Sequence, residues 1–189
     1  MRASTLALGA LLAATPALAA VSVGETLAPF SLKDAGGRQI DLASFGDRKA
    51  VVLMFIATRC PVSNAYNERM TALAREYAAR GVAFVGINSN KTEPPPEIAA
   101  HAAQHGFAFP VLKDEGNVQA DRFGAQVTPE TYVYDSTWTL RYHGRIDDDR
   151  SGAAIQSQDL RAALDAVLAG REVPVKETKA FGCTIKRVQ

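Results

Sequence analysis

Ala50-Val51-Val52-Leu53-Met54-Phe55-Ile56-Ala57-Thr58-Arg59-Cys60-Pro61-Val62-Ser63 is the stretch on which the fold turns. Ala50 to Ile56 is an unbroken apolar run, the pattern of a strand buried on both faces of a parallel sheet. From Val62 to Arg80 the larger apolar residues Tyr66, Met70, Leu73 and Tyr77 recur at helical spacing, and Gly81 ends the pattern. Val82 to Ile87 is a second buried strand. Strand, helix and strand in that order make a right-handed crossover unit, so the chain is of the α/β class.

Upstream of this unit, Phe30 to Leu32 and Gln39 to Leu42 flank Asp34-Ala35-Gly36-Gly37 and predict a β-hairpin covering one edge of the sheet. Downstream, Pro94-Pro95-Pro96 opens a helix that runs to about His105 with Gly106 as its cap, and Phe107 to Leu112 reads as extended. A small helix over Val118 to Phe123 precedes two β-rich runs, Thr131 to Tyr134 and Thr139 to His143, joined at Asp135-Ser136-Thr137 as an antiparallel hairpin. The last helix spans Gln158 to Ala169 with Leu160, Leu164, Val167 and Leu168 on its apolar face, and Gly170 ends it. Arg171 to Gln189 has no period and is expected to pack as an extended tail. The expected architecture is a central mixed sheet flanked by helices, with an N-terminal hairpin.

With 189 residues, 47% of them apolar and 22% charged, the chain fits one globular domain. Its start reads differently. Arg2, the apolar run Leu6 to Leu12, Pro16 and the small-residue site Ala17-Leu18-Ala19 form the pattern of a secretory signal peptide over residues 1–19. The domain then covers residues 20–170 and the tail residues 171–189. The rival, an uncleaved anchor, is disfavoured because the apolar run falls short of the roughly 20 residues a spanning helix needs. A periplasmic or secreted protein with no stable membrane insertion after cleavage is expected. Without Arg2 the basic and acidic residues balance, and no basic patch points to nucleic acid. Neither a phosphate loop nor a dinucleotide glycine pattern signals an organic cofactor.

Cys60 sits where a buried strand gives way to a helix. Free N–H groups at a helix start favour a thiolate, Pro61 suits the first helical turn, and Arg59 brings a neighbouring positive charge. These features should lower the Cys60 pKa and make it nucleophilic. The bland alternative is a small buried hydrophobe. The second cysteine lies in Phe181-Gly182-Cys183-Thr184-Ile185-Lys186, where Gly182 permits close backbone approach. An even cysteine count in an oxidising compartment makes one disulfide the default, which requires the tail to fold back over Cys60. That bridge is either redox-active or a structural staple.

The order of Phe55 to Cys60, helix, strand and then Val127-Thr128-Pro129 before the final hairpin resembles a thioredoxin fold. The added hairpin and the helix after the second strand resemble its redoxin branch, which includes the alkyl hydroperoxide reductase and thiol-specific antioxidant proteins, over roughly residues 22–170. The resemblance implies a cis-Pro129 facing Cys60. By position, Thr128 would orient a substrate backbone and Glu130 would hold or relay a proton. The departures are informative. Ser63 replaces the second cysteine of thioredoxins, and Met54 replaces their buried acid. Ala57 and Leu53 stand where peroxiredoxins carry a threonine and a proline, with Thr58 one residue out of register.

The motifs therefore lie closer to envelope thiol-disulfide reductases than to a standard peroxidase. Cys60 is expected to attack a protein disulfide or oxidised sulfur, Cys183 to resolve the intermediate, and an external thiol donor to restore the pair. Peroxide reduction through a Cys60 sulfenic acid is the alternative within enzymes. Outside them stands a copper chaperone. Asn64 replaces the second cysteine of such proteins, leaving Cys60, Cys183 and His143 as ligands. His101 and His105, four apart, are expected on a solvated helix face, and Asp147-Asp148-Asp149 in a solvated loop.

Overall fold

The computed structural model describes residues 20–188. The expected signal peptide over residues 1–19 lies outside them. Among the described residues, no helix is long and apolar enough to cross a membrane.

A hairpin of β1 (Ser31–Asp34) and β2 (Gln39–Asp41) comes first, then β3 (Ala50–Phe55). Two consecutive helices follow, α1 (Pro61–Ala65) and α2 (Asn67–Ala78), leading into β4 (Val82–Asn88) and α3 (Pro95–Gln104). After these lie β5 (Val111–Lys113), α4 (Val118–Phe123), β6 (Val127–Thr128), β7 (Glu130–Asp135), β8 (Leu140–Gly144), α5 (Asp159–Leu168) and β9 (Cys183–Thr184). The main sheet has seven strands in the order β2-β1-β5-β4-β3-β7-β8. β3 runs parallel to β4 from Ala50↔Val82 to Phe55↔Ile87 and antiparallel to β7, so the sheet is mixed and the hairpin forms one edge, as expected.

β3 is buried throughout, and its alternation divides the core in two. Val52, Met54 and Ile56 meet Met70, Leu73 and Tyr77 of α2 and Leu160 and Leu164 of α5. Val51, Leu53 and Phe55 meet Phe123, Tyr132 and Leu140 on the other face. The thioredoxin fold is thus built on a central strand whose C-terminal end carries the Cys60 turn.

Three expectations need correction. The helix over Val62 to Arg80 is two helices, interrupted at Tyr66, whose ring is buried and whose hydroxyl donates to Asp147 Oδ1 at 2.9 Å. Of the extended segment expected over Phe107 to Leu112, only Val111 and Leu112 enter a strand, β5. Pro110 has no N–H to give to a ladder, and Phe107 and Phe109 stack on each other instead. The Asp147–Asp149 run is no solvated loop. Asp147 is buried against Tyr66 and Arg69, while the carboxylates of Asp148 and Asp149 accept backbone N–H groups from Ser151 to Ser157 and fold the loop around themselves.

The tail does fold back. Thr178 donates its N–H to the His143 carbonyl, and its hydroxyl accepts from Arg145 N. Gly144, at φ +151°, has no room for a β-carbon against Thr178. Further on, β9 pairs antiparallel with β6 in the register Thr128↔Cys183, and Ile185 N donates to the Gln126 carbonyl.

Candidate active site

Cys60 is the N-cap of α1, in extended conformation, with Pro61 opening the helix. Its sulfur accepts a hydrogen bond from Ser63 N at 3.2 Å, one of the N–H groups that a helix start leaves without a partner. Ser63 is fully buried, and its hydroxyl accepts from Ala57 N at 3.2 Å. The residue standing in place of a second cysteine therefore braces the turn from both sides.

Cys60 and Cys183 form a disulfide, 5.8 Å apart at Cα and 123 residues apart in sequence. The Thr128–Pro129 peptide bond is cis, and the Thr128 carbonyl lies 3.3 Å from Cys60 Sγ. Thr128 also pairs in the β6–β9 ladder, so the tail backbone occupies the place expected for a substrate. Gly182 makes this possible, because a β-carbon there would meet the Thr128 carbonyl oxygen at 1.9 Å. Cys60 is almost wholly buried while Cys183 is half-buried.

Arg59 and Glu130 act differently from expectation. The Arg59 guanidinium is engaged by Glu97, with Nε donating at 2.8 Å, and not by the sulfur, whose polar contacts are Ser63 N and the Thr128 carbonyl. Glu97 also accepts from the Thr58 hydroxyl, and the two contacts, Arg59 first, hold its carboxyl at about 2. Glu130 hydrogen-bonds neither sulfur. One oxygen accepts from Gln126 N and Val127 N, the other from His143 Nε2 at 2.6 Å and the Tyr132 hydroxyl. Burial pushes the Glu130 pKa up, but the His143 hydrogen bond and the two amides outweigh it and keep the group below the usual glutamate value. What Glu130 holds is the cis-proline loop.

Two acidic residues missed in the sequence stand closest to the Cys60 turn. Glu97 is one. Glu93, buried, accepts from Thr58 N at 2.8 Å and Arg59 N at 3.1 Å. The available signal was positional: β3 and β4 are parallel neighbours, so the segments leaving their C-terminal ends meet at one edge, where open α/β sheets place their sites. Asn64 braces the same turn, with Nδ2 donating to the Thr58 carbonyl and Oδ1 meeting His101 Nε2 at 3.0 Å. The His101 and His105 rings lie 4.5 Å apart at a tilt of 50°, and His101 Nε2 also meets Asn67, so the pair is not a plain solvated face. Of the three ligands considered for copper, His143 is engaged by Glu130 and the two sulfurs by each other. Among the described residues, no group of three or more His, Cys, Asp or Glu side chains converges as a metal site.

Comparison with known proteins agrees with this geometry. A family model described as AhpC/TSA matches residues 23–146. The chain belongs to the AhpC/TSA family. A solved structure of a hypothetical protein from Sinorhizobium meliloti 1021 is 38% identical and superposes with a TM-score of 0.84, covering 90% of this chain and 97% of that one. The chloroplastic peroxiredoxin Q of Sedum lineare is 31% identical over 130 residues, 65% of this chain and 68% of that protein. Thiol-disulfide oxidoreductase ResA of Geobacillus thermodenitrificans is 26% identical over 148 residues, 78% and 79% of the two chains. Of the Gentiana triflora peroxiredoxin Q the chain spans 58%. Peroxiredoxin Q and thiol-disulfide oxidoreductase ResA are oxidoreductases, and this chain is one as well. The family match ends before Cys183, so the second sulfur of the bridge lies outside it.

Proposed function

We propose that the chain is a periplasmic thiol-disulfide oxidoreductase in which Cys60 is the nucleophile and Cys183 its resolving partner. The observation that carries this reading is the Cys60–Cys183 bridge lying on the cis-proline loop, with the Cys60 sulfur accepting the Ser63 amide of a helix start. That amide stabilises a thiolate there.

In the forward direction the Cys60 thiolate attacks one sulfur of a client disulfide, forming a mixed disulfide and releasing the first client thiolate. Cys183, as thiolate, then attacks the Cys60 sulfur; the internal bridge forms and the second client thiolate leaves. A dithiol donor reopens the bridge by the same exchange, giving up two electrons and becoming a disulfide itself. Thr128 and Pro129 shape the backbone surface beside the sulfur. Ser63, Glu130 and the Arg59–Glu97 pair hold the surrounding turns in place.

The test combines two measurements. Cys183→Ser is expected to trap the mixed disulfide on Cys60 and to slow turnover of a protein disulfide. The bridge is expected to titrate at a potential above about −300 mV, the range of working rather than structural disulfides. An unslowed Cys183→Ser enzyme, or a much lower potential, would make the bridge a staple. Likeness to peroxiredoxin Q favours a second reading, in which Cys60 reduces a peroxide and passes through sulfenic acid before Cys183 condenses with it. Peroxide consumption faster than protein-disulfide reduction by the same preparation would select it. For the location, the mature protein recovered from the periplasm is expected to begin near Ala20; recovery from the cytoplasm with residues 1–19 attached would refute export.

A further inference from the structure

Glu93 does more than cap the Cys60 turn. Its carboxylate takes four N–H donors. Oε2 accepts from Thr58 N and Asn88 Nδ2, and Oε1 from Arg59 N and Asn90 Nδ2. Two of these donors belong to the residues that lead directly into Cys60, one to the last residue of β4 and one to Asn90 in the segment that follows it. That segment in turn grips the tail. Asn90 Oδ1 accepts from Lys186 N at 2.7 Å, and Lys91 N donates to the Lys186 carbonyl at 2.9 Å, so both backbone groups of Lys186 are held. Lys186 lies three residues beyond Cys183. The Asn90 carbonyl is itself fixed by the buried Lys113 Nζ at 2.6 Å, and Asn117 Oδ1 accepts from Val188 N at 2.7 Å.

A continuous hydrogen-bonded path therefore runs from the turn carrying one sulfur, through Glu93 and Asn90, to the tail carrying the other. Every group on it is backbone or buried amide and carboxylate, and such networks are stiff when fully satisfied. We propose that Glu93 is a positioning residue that holds the Cys60 turn and the Cys183 tail in one register, keeping the tail docked when the bridge is open and so setting how readily the two thiols rejoin. The proposal rests on the reading that the pair opens and closes. In its oxidation by oxidised dithiothreitol, the two protein thiols yield two electrons and two protons, the protein S–S bond forms, and the reagent's own disulfide is reduced to a dithiol.

Two readouts test it. The first is the equilibrium constant of the Cys60–Cys183 pair against the dithiothreitol couple, by alkylation and mass analysis. Glu93→Gln puts an amide NH2 where one pair of N–H donors needs an acceptor, and the constant is expected to fall by about tenfold or more, the order for hydrogen bonds to a charged group. Glu93→Asp, which keeps both acceptor oxygens, is expected to fall less. Tyr77→Phe, removing the distant hydrogen bond to Asp165, is expected to leave the constant within about twofold while lowering stability. Asn90→Ala removes the Lys186 N acceptor without touching the turn's own amides, is expected to lower the constant as well, and decides the matter if Glu93→Gln does not fold.

The second readout is hydrogen exchange at the Ile185, Lys186 and Val188 amides of the chemically reduced protein. Protection is expected in the parent and lost in Glu93→Gln and Asn90→Ala. Unchanged constants and unchanged protection in the variants overturn the proposal. A parent bridge that dithiothreitol cannot open refutes the cycling reading alone, and the exchange measurement on protein reduced by a phosphine still decides the role of Glu93.

Discussion

Gly182 is the residue where a single atom decides whether the two sulfurs meet. A methyl group at this position would overlap the Thr128 carbonyl, an atom of rigid backbone with nowhere to retreat. Gly182→Ala should therefore fold yet fail to seat its tail, and mass analysis after alkylation under mild oxidant should find both thiols free. Ser63 presents a smaller test. Ser63→Ala strands the buried Ala57 amide while leaving the Ser63 amide on the sulfur, and urea unfolding should show a loss of about 1–2 kcal/mol. Glu97 makes stability depend on pH. Its carboxyl titrates at about 2 in the folded chain against an ordinary 4.5, so between those values the unfolded chain binds more protons. Its contribution is complete above about pH 4.5 and disappears as the pH falls toward 2. Arg59→Ala removes the main cause, and unfolding measured against pH should lose that part of its acid dependence.

At the scale of elements, the break between α1 and α2 ties the active-site helix to the loop after β8. Tyr66 at the break and Arg69 one turn on both hold the buried Asp147, with Arg69 at 2.6 Å. Arg69→Ala leaves that carboxylate without its cation, and a loss of about 3 kcal/mol in urea unfolding is expected. Neither the break nor the burial of Asp147 was legible in the sequence. The apolar period runs through Tyr66 without a signal, and an acidic triplet looks solvated until its partners are known. What periodicity does carry was readable: the buried run of β3, the helical spacing of Met70, Leu73 and Tyr77, and the turn at Asp135. Cys60 was readable for the same reason, standing where one period ends and another begins, whereas Pro129 came only from the resemblance to a thioredoxin fold. Arg59 was misread because its partner Glu97 lies 38 residues away, on a helix that only the parallel pairing of β3 and β4 brings alongside.

For the whole molecule, the bridge closes a loop of about two-thirds of the chain. With the sulfurs 123 residues apart, the chain-entropy estimate for such a cross-link is about 4–5 kcal/mol. Besides the bridge, the tail is held by hydrogen bonds to His143, Gln126 and Asn90. The reduced protein is accordingly expected to stay folded but to unfold at markedly lower urea than the oxidised form, with Cys60→Ser/Cys183→Ser matching the reduced curve. The same separation has a consequence in time. In any chain emerging N-terminus first, Cys60 appears 123 residues ahead of its partner, which at about 5–20 residues per second is roughly 6–25 s. Through that interval the thiol is a newborn without a spouse, open to any oxidant or foreign cysteine it encounters, and only the late arrival of Gly182-Cys183 takes it out of circulation.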